Sequence, residues 1–136
     1  MNFELADRIS YAALRIVTGF AFSLHGWQKM FGVLGKPPAD EGQMAIGGVI
    51  ELVCGTLIAL GVLTRAMAFL ASGTMAVAYI QFHWKLAFDD RFFPVVNGGE
   101  LALVYCFLFL AFCMRGAGQV SIDRLIFGPN SKLAGT

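Results

Sequence analysis

The chain has 136 residues, 57% hydrophobic and 14% charged, and ten basic against nine acidic side chains leave a net charge of +1. That length fits one domain, while soluble domains carry about a quarter charged residues. So few charges exclude a water-facing enzyme, a disordered chain and a nucleic-acid binder, which would need a basic stripe; they point to a polytopic protein whose first partner is the lipid bilayer.

A membrane-crossing helix takes about 20 mostly apolar residues, and four segments meet that demand. The first, about residues 9–31, carries Arg15, His25, Gln28 and Lys29. Arg15 interrupts its apolar run and no small-residue cleavage site follows, so it is not expected to be a cleaved signal peptide. The loop from Gly35-Lys36-Pro37-Pro38 to Gly42 is one that no helix would cross. The second span, residues 44–63, carries Glu51. Thr64-Arg65 is then a very short link, so the second and third spans form a tight hairpin. The third, residues 66–84, has no Asp, Glu, Lys or Arg. A polar and aromatic loop follows, centred on Asp89-Asp90-Arg91. The fourth span, residues 95–114, carries Asn97 and Glu100 and is closed by Gly116 and Gly118.

The expected architecture is all-α: an antiparallel bundle of four transmembrane helices running up, down, up and down. A short interfacial segment, residues 119–128, completes the domain, with Ser121 as its N-cap, and residues 129–136 form a loose tail. Cys54, Cys106 and Cys113 lie in apolar runs without a CxxC pair, and read as small buried residues. An even number of spans puts both termini on one side, with Arg8, Arg65, Arg115, Arg124 and Lys132. Lys29, Lys36, Lys85 and Arg91 fall on the other. The positive-inside rule then predicts cytoplasmic termini.

Charged groups inside a membrane are costly and tend to mark function. Alternating span direction brings His25, Gln28 and Lys29 to the same level as Glu51, His83, Asn97 and Glu100. Within the first span, His25 and Lys29 are four apart and share a face. On the second, Gly47, Gly48, Glu51 and Gly55 form a stripe that lets a neighbouring helix approach the carboxylate. A short internal repeat accompanies this: His25-Gly26-Trp27-Gln28-Lys29 with Gly47-Gly48 and Glu51, then His83-Trp84-Lys85 with Gly98-Gly99-Glu100.

The ordered set Arg15 with Gly19, His25-Gly26, Lys29, Glu51 with Gly55 and Gly61, Arg65, His83, Asn97-Gly98 with Glu100, and Ser121-Ile122-Asp123 resembles the DoxX family of small bacterial membrane proteins. The likeness runs from about residue 8 to residue 126. It implies a four-helix protein of the bacterial inner membrane in a respiratory or sulfur redox context, including thiosulfate:quinone oxidoreductase systems, or an accessory partner in redox-stress complexes.

Two readings of the polar level stand side by side. In the first it is a quinone-facing site of an oxidoreductase component. His25 and Lys29 donate to carbonyl oxygens, Glu51 and Glu100 carry protons, and His83, Gln28 and Asn97 help to hold the ligand. Phe20, Phe22, Trp27, Phe31 and Phe82 line its slot. In the second, the chain is a non-catalytic accessory subunit that packs beside membrane protein partners or copies of itself, and the Lys29–Glu51 pair only holds helices together. Haem between His25 and His83, and a metal held by His25, Glu51, His83 and Glu100, are weaker alternatives. A carrier built from two similar hairpins is a third class.

Overall fold

A computed structural model describes residues 2–40 and 42–128; the predicted loose tail at 129–136, with Lys132, lies outside the described residues. Among the described residues the fold is helical throughout. Helix α1 (Phe3–Phe31) starts at Asn2, whose side chain accepts the Leu5 N–H, and stops at Gly32, which takes the left-handed conformation. Helix α2 (Gln43–Leu60) stops the same way at Gly61. Helix α3 (Thr64–Ala78) continues without a break into a π-helical turn, Tyr79–Trp84, so the whole segment ends at Trp84 as the sequence predicts.

The link between α2 and α3 is one turn earlier than expected. Thr64 and Arg65 lie inside α3, and Gly61 to Leu63 make the turn. The fourth helical segment is also divided. Helix α4 (Pro94–Asn97) and helix α5 (Glu100–Arg115) are separated by Gly98, in the left-handed region, and Gly99. A side chain holds this break open: Asn97 Oδ1 accepts the Gly99 N–H at 2.8 Å. Helix α6 (Ile122–Phe127) begins at Ser121, whose Oγ accepts the Arg124 N–H as an N-cap, in agreement with the sequence reading.

The four long helices form two antiparallel hairpins. In the first, α1 and α2 meet backbone to backbone. A Cβ on Gly19 would come within 2.6 Å of the Gly55 carbonyl oxygen, and one on Gly26 within 2.7 Å of that of Gly48. Gly47 takes no part, because open space surrounds it. The second hairpin, α3 with α5, is held by side chains. Ser72 Oγ donates to the Cys106 carbonyl at 2.8 Å, and Arg65 donates to the carbonyls of Cys113 and Met114. A ladder of rings joins α1 to α5: Tyr11 on Phe112, and Phe22 on both Tyr105 and Phe109. With Cys54, Ile58, Ala68, Ala71 and Met75 these rings are the core.

The outer faces are apolar. Phe69 is 68% exposed, and Phe20, Ile46, Val49, Val53, Val104 and Phe107 are exposed as well. Contiguous apolar surface on this scale needs a non-aqueous neighbour. By length and composition α2 is apolar enough to cross a membrane.

Candidate functional site

On α1, Phe22, His25 and Lys29 follow one another at helical spacing and face inward. Across from them, the contact of Gly26 with Gly48 brings the α2 backbone close, so Glu51 arrives beside Lys29. The Lys29 Nζ donates to Glu51 Oε1 at 2.6 Å. Glu51 is only 3% exposed, and its second oxygen, Oε2, is buried without a hydrogen-bond partner. The Lys29 side chain keeps 27% of its surface exposed.

This pair borders a cavity of about 640 Å³ lined by all four long helices. His25 and Glu51 line it from the first hairpin, and His83 and Tyr105 from the second. The His25 ring meets the Tyr105 ring edge-on at 6.4 Å. Most of the remaining wall is aliphatic or aromatic, with Phe22 and Phe82 among its rings. The volume suits a small organic ligand, and an apolar pocket with a few polar groups is the usual form of such a site.

Four of the sequence-predicted residues therefore meet: His25, Lys29, Glu51 and His83. Three do not line the cavity. Glu100 is exposed at the first turn of α5, just after the Gly98–Gly99 break, while its neighbours Leu101 and Ala102 line the cavity. Asn97 braces that break: its Nδ2 donates to the Arg91 carbonyl at 2.9 Å and to Tyr79 Oη at 3.3 Å. Gln28 turns to the loop and donates to the Leu34 carbonyl. The two carboxylates that the internal repeat pairs are placed differently, Glu51 buried and paired, Glu100 exposed. Of the predicted slot, Phe22 and Phe82 are in place, whereas Phe20, Trp27 and Phe31 occupy the outer face of α1.

Sequence reasoning does not single out Tyr105, Lys36 or Gln43, which also border the cavity. The lone hydroxyl of Tyr105 within an apolar helix was the available signal. Among the described residues, no group of three or more His, Cys, Asp or Glu is placed to hold a metal ion.

The other end of the bundle holds a second polar knot. Arg15 is not directed to lipid, as a snorkelling or phosphate-binding side chain would be; it is 1% exposed. Its guanidinium donates to the carbonyls of Ile58 and Ala59 at the end of α2 and of Val120 before α6. Asp123, equally buried, accepts the N–H groups of Leu63 and Thr64. Leu63 has no side chain able to cap α3, so Asp123 does this from sixty residues away.

Comparison with known proteins adds to this geometry. Residues 10–84 match the DoxX family. The chain belongs to the DoxX family. The matched region contains His25, Lys29, Glu51 and His83. An uncharacterized protein of Haemophilus influenzae is 40% identical, over 93% of this chain and 97% of its own length. A second uncharacterized protein of that organism is 34% identical, over 65% of this chain and 56% of its own length. No solved structure matches the chain.

Proposed function

We propose that this DoxX-family chain is a four-span protein of the bacterial inner membrane, with cytoplasmic termini, and that its cavity binds the headgroup of a quinone. The reading rests on one observation above others: a mostly apolar cavity of about 640 Å³ bordered by the Lys29–Glu51 pair, whose Oε2 lacks a partner. A buried polar atom without a partner is costly, and the hydroxyl of the quinone's reduced form, a quinol, would satisfy it.

Lys29, His25 and the Tyr105 hydroxyl would hold carbonyl oxygens, each being a hydrogen-bond donor. Glu51 would exchange a proton with the ligand, handing it on through Lys29, whose side chain is partly exposed. Phe22 and Phe82 would flank the ring. A bound quinone supplies two-electron, two-proton chemistry. The chain is then the quinone-binding component of a membrane assembly, with redox partners docked on its apolar flanks.

The four-span arrangement is supported by the apolar outer faces and by helix lengths. Helix α1 and the α3 segment to Trp84 contain 29 and 21 residues, and α5 contains 16. Arg8, Arg65, Arg115 and Arg124 lie on the proposed cytoplasmic side; Lys29, Lys36, Lys85 and Arg91 lie on the other.

A second reading, a non-catalytic accessory subunit, is favoured by the same ion pair seen as a fastener, since it joins α1 to α2 directly. Purification in mild detergent, solvent extraction and chromatography of the extract separates the two. The first reading expects about one quinone per chain, lost in Glu51→Gln and Lys29→Met. An extract free of quinone, together with Glu51→Gln altering only assembly with partners, favours the accessory subunit.

A further inference from the structure

Helices α2 and α3 touch near their short link, where Cys54 Sγ lies 3.9 Å from Met67 Sδ, and beyond that contact residues of both line the cavity. At the far end a side-chain bridge crosses the gap, as Gln43 Nε2 donates to Gln81 Oε1. Eleven residues of α2 separate Gln43 from Cys54, a rise of about 16 Å. Within this frame both helices carry a glycine, Gly47 on α2 and Gly73 on α3. Both line the cavity, and a Cβ on either would meet nothing within 4 Å. These glycines differ from Gly19, Gly26, Gly48 and Gly55, whose missing side chains make room for another helix. Around the two open glycines the cavity wall is formed by exposed apolar residues, Ile46, Phe69, Leu70 and Val77.

We infer that the gap between α2 and α3 is a lateral window to the bilayer, with Gly47 and Gly73 as its jambs, through which the ligand's long apolar tail passes while its polar head rests by Lys29 and Glu51. Resting on the proposed quinone site, this defines the ligand class as a lipid-borne molecule with a compact polar head and an aliphatic tail. Glu51 sits inside, and Ile46, Phe69, Leu70 and Val77 lie exposed at the rim, as such a ligand requires. Glycine inside a helix lowers helix stability, yet here two glycines stand where no neighbouring atom requires them, on opposite sides of one opening. The Gln43–Gln81 hydrogen bond closes the outer end of the frame, so a tail leaves between the helices.

The test uses the full chain in detergent and in phospholipid vesicles, with Gly47→Leu, Gly73→Leu and the smaller Gly47→Ala and Gly73→Ala as variants. Two probes are titrated, 2,3-dimethoxy-5-methyl-1,4-benzoquinone without a tail and the same head with a ten-carbon chain. The leucine variants should bind the tailed probe about tenfold more weakly, the equivalent of two methylenes left unburied, and the tail-less probe within about twofold of the parent. Unchanged affinity for the tailed probe in both leucine variants overturns the window and leaves the quinone site standing.

Vesicles containing a phospholipid with a diazirine at the end of one acyl chain provide the second arm. Photolabelling at Ile46, Leu70 or Val77, suppressed in the leucine variants, is expected. Such labelling in a protein that binds neither quinone upholds the window for a lipid tail and defeats the quinone reading. An unlabelled window overturns the inference whatever the quinones do. Should a leucine variant misfold, the alanine variants carry the test with a smaller shift in the same direction.

Discussion

Asp123 accepts the backbone N–H of Leu63 at 2.9 Å, and that contact ties the last described helix to the start of α3. The second carboxylate oxygen takes the Thr64 N–H, and the Asp123 N–H returns a hydrogen bond to the Gly61 carbonyl. Helix α6 is therefore a cap as much as an appendage. Replacing Asp123 with Ala should cost about 1–2 kcal/mol, the usual loss for an N-cap. It should also free α6, so limited proteolysis should cut near residue 120 in Asp123→Ala well before the parent. Equal proteolytic lifetimes would show that α6 is held by other means.

The Lys29–Glu51 pair should respond unequally to removal of its two partners. Lys29→Met leaves the buried Glu51 carboxylate with neither oxygen paired and should cost about 3–5 kcal/mol. Glu51→Gln leaves an ammonium that still reaches solvent, and should cost less. Thermal unfolding in detergent reads the difference. A larger loss in Glu51→Gln than in Lys29→Met would mean that Lys29, not Glu51, is the group trapped by burial.

Glycines of the two hairpins should differ in sign. Gly26→Ala drives a methyl group into the α2 backbone at Gly48 and Leu52, and should cost about 3 kcal/mol, the upper end of ordinary overpacking. Gly73→Ala meets open space and removes a helix-weakening residue, so it should stabilise by about 0.5–1 kcal/mol. Melting temperatures of the two variants against the parent decide this; movement in the same direction would contradict the packing described.

The loop beyond the bundle gives a pH prediction. Arg91 donates from Nε to both oxygens of Asp89 and from Nη2 to one of them, and these hydrogen bonds hold the Asp89 carboxyl down at about 2. A carboxyl lowered on folding contributes in full above its unfolded value and loses that contribution as pH falls through its folded one. The Asp89–Arg91 fork should thus persist through pH 4 and open as pH approaches 2. Side-chain carboxyl NMR shifts of Asp89 check this; a midpoint near 4 would show that the fork does not form in solution.

Much of the bundle can be read from the chain because its signals are local. Gly32 and Gly61 stop α1 and α2, and apolar runs of membrane length mark the helices. The convergence of His25, Lys29, Glu51 and His83 is also legible, since alternating direction places their helix ends together. Glu100 escapes this reasoning. Its depth follows from counting, but which way its side chain faces after the break at Gly98 and Gly99, braced by the Asn97 side chain and the Tyr79 ring, does not, and it is exposed. The role of Asp123 is hidden for a related reason: its partners are sixty residues away, and no periodicity reports a cap supplied from such a distance. Arg15 stands in an apolar run with no local partner, because its carbonyl acceptors come from two distant segments.

Those acceptors also bear on biogenesis. Ile58 and Ala59 are synthesised more than forty residues after Arg15, and Val120 more than a hundred residues after it. The nascent first helix accordingly leaves the ribosome with a guanidinium that has none of its eventual companions. Closure of the Arg15 knot therefore waits until Val120 has been made, and a chain truncated before Val120 leaves the buried guanidinium short of one acceptor.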